Sequence, residues 1–159
     1  MRSNDWSFSL RGAKSGDAAV IRRLILELAE YEHLVNTVRI TEKTLQEWMD
    51  TGQTGVLLAE NGSEVIGFAL YYFTFPTFRG QRGLYIEDIY VRPAYRGSGV
   101  GTALFREAAR IARCRHCYRI DWMVLDWNKE ALAFYEKIGA KSVPDWLTYR
   151  LQDEALDSL

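Results

Sequence analysis

The stretch Val91–Phe105, VRPAYRGSGVGTALF, sets three glycines, Gly97, Gly99 and Gly101, within five positions between an apolar segment and an amphipathic one. Glycine at that density costs conformational entropy unless some group must come close to the main chain. Between a strand and a helix start, such residues let backbone N–H groups converge on one point, which also feels the positive end of the helix dipole. A phosphate suits that point. A Walker loop requires Lys-Ser/Thr after its last glycine, and here Thr102-Ala103 follows Gly101, so that loop is excluded. A dinucleotide fingerprint requires G-x-G-x-x-G directly after the first strand. The glycine spacing here is wrong for it, and position 100 comes too late. The pattern that remains is R-x-x-G-x-G, Arg96 to Gly101.

Working outward, GLYIEDIYV reads as the strand entering the loop. GTALFREAARIAR reads as the helix leaving it, with Val100, Ala103, Leu104, Ala108, Ile111 and Ala112 on one side. Upstream, SFSLRGAK alternates like a strand, and Val20, Ile21, Leu24, Ile25 and Leu28 recur at helical spacing. Thr41 is placed as the N-cap of a second helix, EKTLQEWM. GVLLAE and EVIGFALYYFTF, joined at Asn61-Gly62, read as a hairpin. Downstream, RIDWMVLDW is predicted as a strand and KEALAFYEKI as a helix closed by Gly139, with a last strand within DWLTYRL. The order β-α-α-β-β-β-α-β-α-β describes an α/β chain with a mixed sheet, hairpins early and crossovers late.

The 159 residues favour one domain, 1–159, with a single core. A net charge of −1 gives no global pull toward nucleic acid or an anionic membrane. Arg106, Arg110, Arg113, Arg115 and Arg119 have the spacing of a solvated helix face. The N-terminus, MRSNDWSFSL, lacks the apolar core of a secretory signal. The run Val65–Phe75, at 11 residues, is too short to span a bilayer. Cys114 and Cys117 form CRHC, but a zinc site needs more ligands and the two histidines are His33 and His116. Cytosolic thiols and no metal are the expectation.

Arg96–Gly101, followed by WNKEALAFYEKIGA, resembles the GNAT superfamily of N-acetyltransferases, whose pyrophosphate loop reads Q/R-x-x-G-x-G/A. YIEDIYVRPAYRGSGVG, VLDWNKEALAFYEKIGA, LAEYEHL and GFALYYFTF look like its diamine acetyltransferase branch, the spermidine/spermine and thialysine enzymes. The resemblance implies a GNAT fold with six to seven strands and about four helices. It also implies acetyl-CoA as co-substrate, a small-molecule amine as acceptor, a cytoplasmic homodimer, and no metal. Residue by residue, it gives the cofactor Ile89, Tyr90 and Val91, then Arg96, Gly97, Ser98, Gly99, Val100, Gly101 and Thr102. Asn128, Lys129, Glu130, Ala131 and Tyr135 complete that set. Backbone N–H groups of Ile89 and Val91 are expected on the acetyl carbonyl and pantetheine arm.

Glu87 takes the role of substrate contact and base, through water, and Tyr135 that of the acid that protonates the leaving thiolate. A wet-edge or salt-bridged Glu87 and a plain core Tyr135 remain the structural alternatives. In a regular strand Glu87 and Asp88 must face opposite sides, and Asp88 has no assigned role. Tyr31, Glu32, Asp121, Trp122 and Met123 are the further acceptor contacts. One departure bears on the acceptor. Where the polyamine type carries an acid soon after its YYFT strand, this chain has Pro76, which weakens spermidine or spermine as a substrate. Acetylation of protein N-termini or lysines, or CoA binding without turnover, are the other functions the sequence permits.

Overall fold

The computed structural model describes residues 7–159, so residues 1–6 of the stretch read for a signal core lie outside it. The chain divides into two compact units, Met1–Met123 and Val124–Leu159.

The first unit is a mixed sheet of five strands: β1 (Ser9–Gly12), β2 (Gly55–Asn61), β3 (Glu64–Thr74), β4 (Gly83–Val91) and β5 (Ile120–Asp121), in that spatial order. β1 to β4 pair antiparallel, and β5 lies parallel to β4. The crossover between β4 and β5 is α3 (Val100–Cys114), as a parallel pair requires. α1 (Ala18–Tyr31) and α2 (Glu42–Asp50) precede β2, and the Thr41 hydroxyl caps α2 by accepting from the Thr44 N–H. The predicted hairpin forms one residue later than read: Asn61 pairs with Glu64, and Gly62 takes the positive φ of +61° as first central residue. Asn61 thus ends its strand, leaving Gly62-Ser63 to turn.

Alternation along the strands builds two cores. Val56, Leu58, Phe68, Leu70 and Tyr90 meet Ile21, Leu24 and Leu45 of α1 and α2. On the other face, Leu84 and Ile86 are buried on the side of α3, whose Leu104, Phe105 and Ala108 are buried too. Each such aliphatic or aromatic side chain, fully buried, stabilises the fold by about 1.5–3 kcal/mol.

The helix ends share one device. Gly52, His33 and His116 stand at positive φ just past α2, α1 and α3. In each case two N–H groups reach back to the last turn, as in His116 N–H to Arg113 O and Cys117 N–H to Ala112 O. Both histidines of the chain therefore occupy left-handed positions that favour glycine.

The second unit holds α4 (Lys129–Lys137) and the short α5 (Glu154–Asp157). α4 closes as predicted: Gly139 has φ +87°, with Gly139 N–H on Glu136 O and Ala140 N–H on Tyr135 O. The sheet falls short of six to seven strands for two reasons. RIDWMVLDW forms a ladder only at Ile120–Asp121, and no described strand lies within DWLTYRL, where Trp146, Leu147 and Tyr149 are exposed. β-propensity needs a partner ladder to take effect, and these segments have none beyond Asp121.

Candidate active site

β4 carries the site of the first unit, and a bulge divides it. Leu70 pairs with Asp88 and Tyr71 with Ile86, so Glu87 is the extra residue. From the bulge onward, Ala69 pairs with Ile89, Phe68 with Tyr90 and Gly67 with Val91. The Arg92 N–H donates to Ile66 O on β3 at 2.9 Å. Main-chain groups of a strand alternate in direction, so Tyr90 also faces β3 while Ile89 and Val91 face away from it. That outer edge meets β5 at Leu84–Ile120 and Tyr85–Asp121. Beyond Tyr85, no described strand pairs with it. The N–H groups of Ile89 and Val91 thus point to an edge that no described strand covers.

Past Val91 comes a turn at Pro93–Tyr95, then the glycine loop. Gly97 and Gly99 have φ +73° and +90°, and a Cβ built on either meets nothing within 4 Å. The main chain there is open to a guest. α3 starts at Val100, so the N–H groups of Val100, Gly101 and Thr102 have no acceptor within the helix. The Val100 side chain itself is core, at 1% exposed, and only its backbone can face a ligand. Gly101 is helical and needs no special φ.

The loop is braced on three sides. Arg92 grips Glu27 of α1 with Nε and Nη2, at 3.0 and 2.7 Å, and reaches Glu64 with Nη1 at 2.9 Å. The Tyr95 hydroxyl donates to the same Glu64 at 2.6 Å, and Ser98 Oγ donates to Tyr95 O. Arg96 donates from Nε to Val91 O at 3.0 Å, with its guanidinium 4.7 Å from the Tyr31 ring centre and 5.8 Å from that of Tyr90. Tyr31, expected at the acceptor, therefore stacks beneath the first residue of the phosphate motif.

At the bulge the expectation that Glu87 and Asp88 face opposite sides fails. Asp88 pairs with Leu70, a residue of the α1/α2 core, so it points to that face. Glu87 stands two residues past Tyr85, the cross-strand partner of Tyr72, and its charge bears on both phenols and on Asp88. An inserted residue breaks the period of two, and both carboxylates lean the same way. Glu32, the C-cap of α1, joins them. Burial, then Glu87, then Glu32, push the Asp88 carboxyl up to about 6. Burial likewise raises Glu32. Asp88 is the functional candidate that sequence reasoning missed. The available signal was two adjacent acids in an apolar strand, which only a bulge can accommodate on one face.

Tyr72 and Tyr85 pair across strands with ring centres 5.2 Å apart, and burial raises both phenols. Tyr85 also pairs with Asp121, which binds Arg119 Nε at 2.5 Å. Trp122 turns to the α3 side, its ring 4.9 Å from Phe105, and Met123 is exposed. In CRHC, burial pushes the Cys117 thiol up, away from thiolate chemistry. Within the second unit, Asn128 caps α4 by accepting the Ala131 N–H at Oδ1, 3.2 Å. Lys129 Nζ donates to Asp126 O. Glu130 and Ala131 form the first turn, and Tyr135 sits beside Phe134 with ring centres 5.7 Å apart.

A sequence model described as the acetyltransferase (GNAT) family matches residues 21–140. The thialysine N-epsilon-acetyltransferase of Bos taurus is 39% identical over 163 aligned residues, covering 94% of this chain and 95% of that protein. The L-ornithine N5-acetyltransferase of Arabidopsis thaliana is 38% identical over 99 residues, 62% of this chain and 43% of the relative. Among solved structures, an integron cassette protein from the mobile metagenome of V. cholerae has a TM-score of 0.80 at 25% identity, covering 96% of each chain.

Proposed function

Since this chain belongs to the acetyltransferase (GNAT) family, we propose that it moves the acetyl group of acetyl-CoA to the side-chain amine of a lysine-like amino acid or a short diamine. It is an acyltransferase; the acceptor, the residue roles and the assembly are the proposed part. One observation carries the reading: on a single strand, two carboxylates at a bulge lead into an edge that no described strand covers and then into an open glycine loop.

The roles follow from the chemistry. A diphosphate accepts hydrogen bonds from the N–H groups at Gly97–Thr102, with Arg96 anchoring the entry. The acetyl carbonyl takes its polarising donors from the β4 edge at Ile89 and Val91. An alkylamine with a pKa near 10.4 is neutral in about 1 part in 10³ at pH 7, a penalty of roughly 4–5 kcal/mol. Glu87 takes that ammonium proton, through water. Asp88, titrating nearer neutrality than an ordinary carboxylate, shares the site with Glu32 and holds the cation there. The amine nitrogen then bonds to the acetyl carbon, the carbon–sulfur bond breaks, Tyr135 gives its phenolic proton to the departing thiolate, and the second nitrogen proton restores the phenol through solvent. Asn128 and the first turn of α4 are assigned to the CoA arm. The same reading extends to a cytoplasmic homodimer, as the resemblance implies.

CoA thiol release across amines, amino acids and peptides tests it. Turnover is expected with lysine-like acceptors and short diamines, ahead of spermine. Peptides as best acceptors would move the reading to protein acetylation. Tight acetyl-CoA binding without thiol release would leave a CoA-binding module.

A further inference from the structure

The row Tyr72–Tyr85–Asp121 runs across three strands on one face, one register pair at a time. Glu87 stands two residues beyond Tyr85 along β4, and both Glu87 and Asp121 act electrostatically on the Tyr85 phenol. At about 3.3 Å per residue and about 4.8 Å between strands, the two carboxylate-bearing positions are roughly 8 Å apart, with Tyr85 the neighbour of both. A ligand with an amine on a four-carbon stem is about the right length, its methylenes lying along the ring.

The far end of this row is not a simple acid. Asp121 is held by Arg119, and both side chains are partly exposed at 47% and 35%. The guanidinium contacts that carboxylate through Nε, and among the described residues no carboxylate pairs with its Nη groups. A polyamine brings a second positive charge to this end. The pair offers it no net attraction, because Arg119 already neutralises Asp121. An α-amino acid brings an ammonium and a carboxylate side by side, and the pair offers the complementary charges in the same arrangement. A guanidinium fork is also the side chain best suited to a carboxylate.

We propose that the Arg119–Asp121 pair reads the α-ammonium and α-carboxylate of an amino acid whose side-chain amine lies at Glu87, and so selects amino acids over diamines of equal length. This deepens the acetyl-transfer reading and rests on it. Asp121 takes the ammonium, Arg119 takes the carboxylate, and Tyr85 spaces them from the reacting nitrogen.

Matched acceptors isolate the pair: L-lysine against 1,5-diaminopentane, which lacks only the carboxylate. With the parent protein, kcat/KM is expected to be at least tenfold higher for lysine. Arg119→Gln is expected to lower the lysine value about tenfold through KM and to leave diaminopentane unchanged or improved, since Asp121 loses its neutralising partner, with Arg119→Lys recovering part of the lysine loss. Calorimetric titration of the same two amines reads the discrimination without turnover. Equal losses for both amines, or an unchanged ratio in the variant, overturn the proposal. Turnover of other amines with no preference for lysine overturns it too, while acetyl transfer stands. Arg119-dependent lysine binding without thiol release supports the pair as an amino-acid reader and removes the acetyl-transfer reading instead.

Discussion

The two ends of β4 solve opposite problems. At its exit, the charged groups are paired: Arg92 with Glu27 and Glu64, Tyr95 with Glu64, and Ser98 with a backbone carbonyl. That end braces a stretch of main chain whose own N–H groups are the proposed phosphate donors. At the bulge, three carboxylates, Glu32, Glu87 and Asp88, are brought together, and burial, with the charges of Glu87 and Glu32 adding to it, raises the Asp88 carboxyl to about 6. The side chains of the exit are satisfied before any ligand arrives, whereas those of the bulge, in the proposed reading, are completed by a cation. A loop that binds an anion through neutral donors can be rigid and stable, whereas a site for an ammonium must store like charges and destabilises the fold.

The largest expected effect lies at the bulge. Glu87→Gln keeps the size and removes the base, so kcat/KM should fall about 10²-fold or more near neutrality. Partial recovery is expected toward pH 9–10, where solvent supplies roughly tenfold more free amine per unit. A parallel drop across pH 6 to 10 would take the base role from Glu87 and with it half of the contrast.

Asp88→Asn sharpens the contrast through stability. Its folded pKa lies above the unfolded value, so the native state binds the proton more tightly and stability falls as pH rises from about 4 to about 6. The penalty is absent below pH 4 and complete above pH 6, at most about 3 kcal/mol for a shift of this size. The variant should therefore melt higher than the parent at pH 7.5 and alike at pH 3.5, while acetyl transfer declines. Equal melting temperatures at both pH values would mean that the bulge stores no charge strain.

At the exit, Gly99→Val is expected to raise the KM for acetyl-CoA about tenfold, equivalent to about 1.4 kcal/mol. The acceptor KM should hold. At φ +90° the substitution also strains the main chain, so a melting curve accompanies the kinetics. An unchanged acetyl-CoA KM in the folded variant would remove the phosphate-cradle role from the loop.

Several features were legible in the chain itself because they rest on local rules. The glycine loop needs only backbone freedom before a helix, α1 to α4 need a period near 3.6, and the β2–β3 hairpin needs a glycine between alternating runs. The Thr41 cap and the Gly139 stop are equally local. Arg96 was legible as a motif position, though its stacking on Tyr31 was not.

Tertiary structure alone decided the bulge. An extra residue exists only relative to a partner strand, and a reading of YIEDIYV by itself must assume the period of two that sends Glu87 and Asp88 apart. It also decided where β5 ends, since a ladder needs a neighbour as well as propensity, and that end bares the Ile89 and Val91 N–H groups. The brace joins Arg92 to Glu27 across 65 residues and to Glu64 across 28, which no local pattern records. The sequence by itself determined that this chain presents a glycine loop between a strand and a helix. Which carboxylates share a face, and so where a cation would sit, was settled by the register between strands, a long-range property that side-chain order along one strand does not contain.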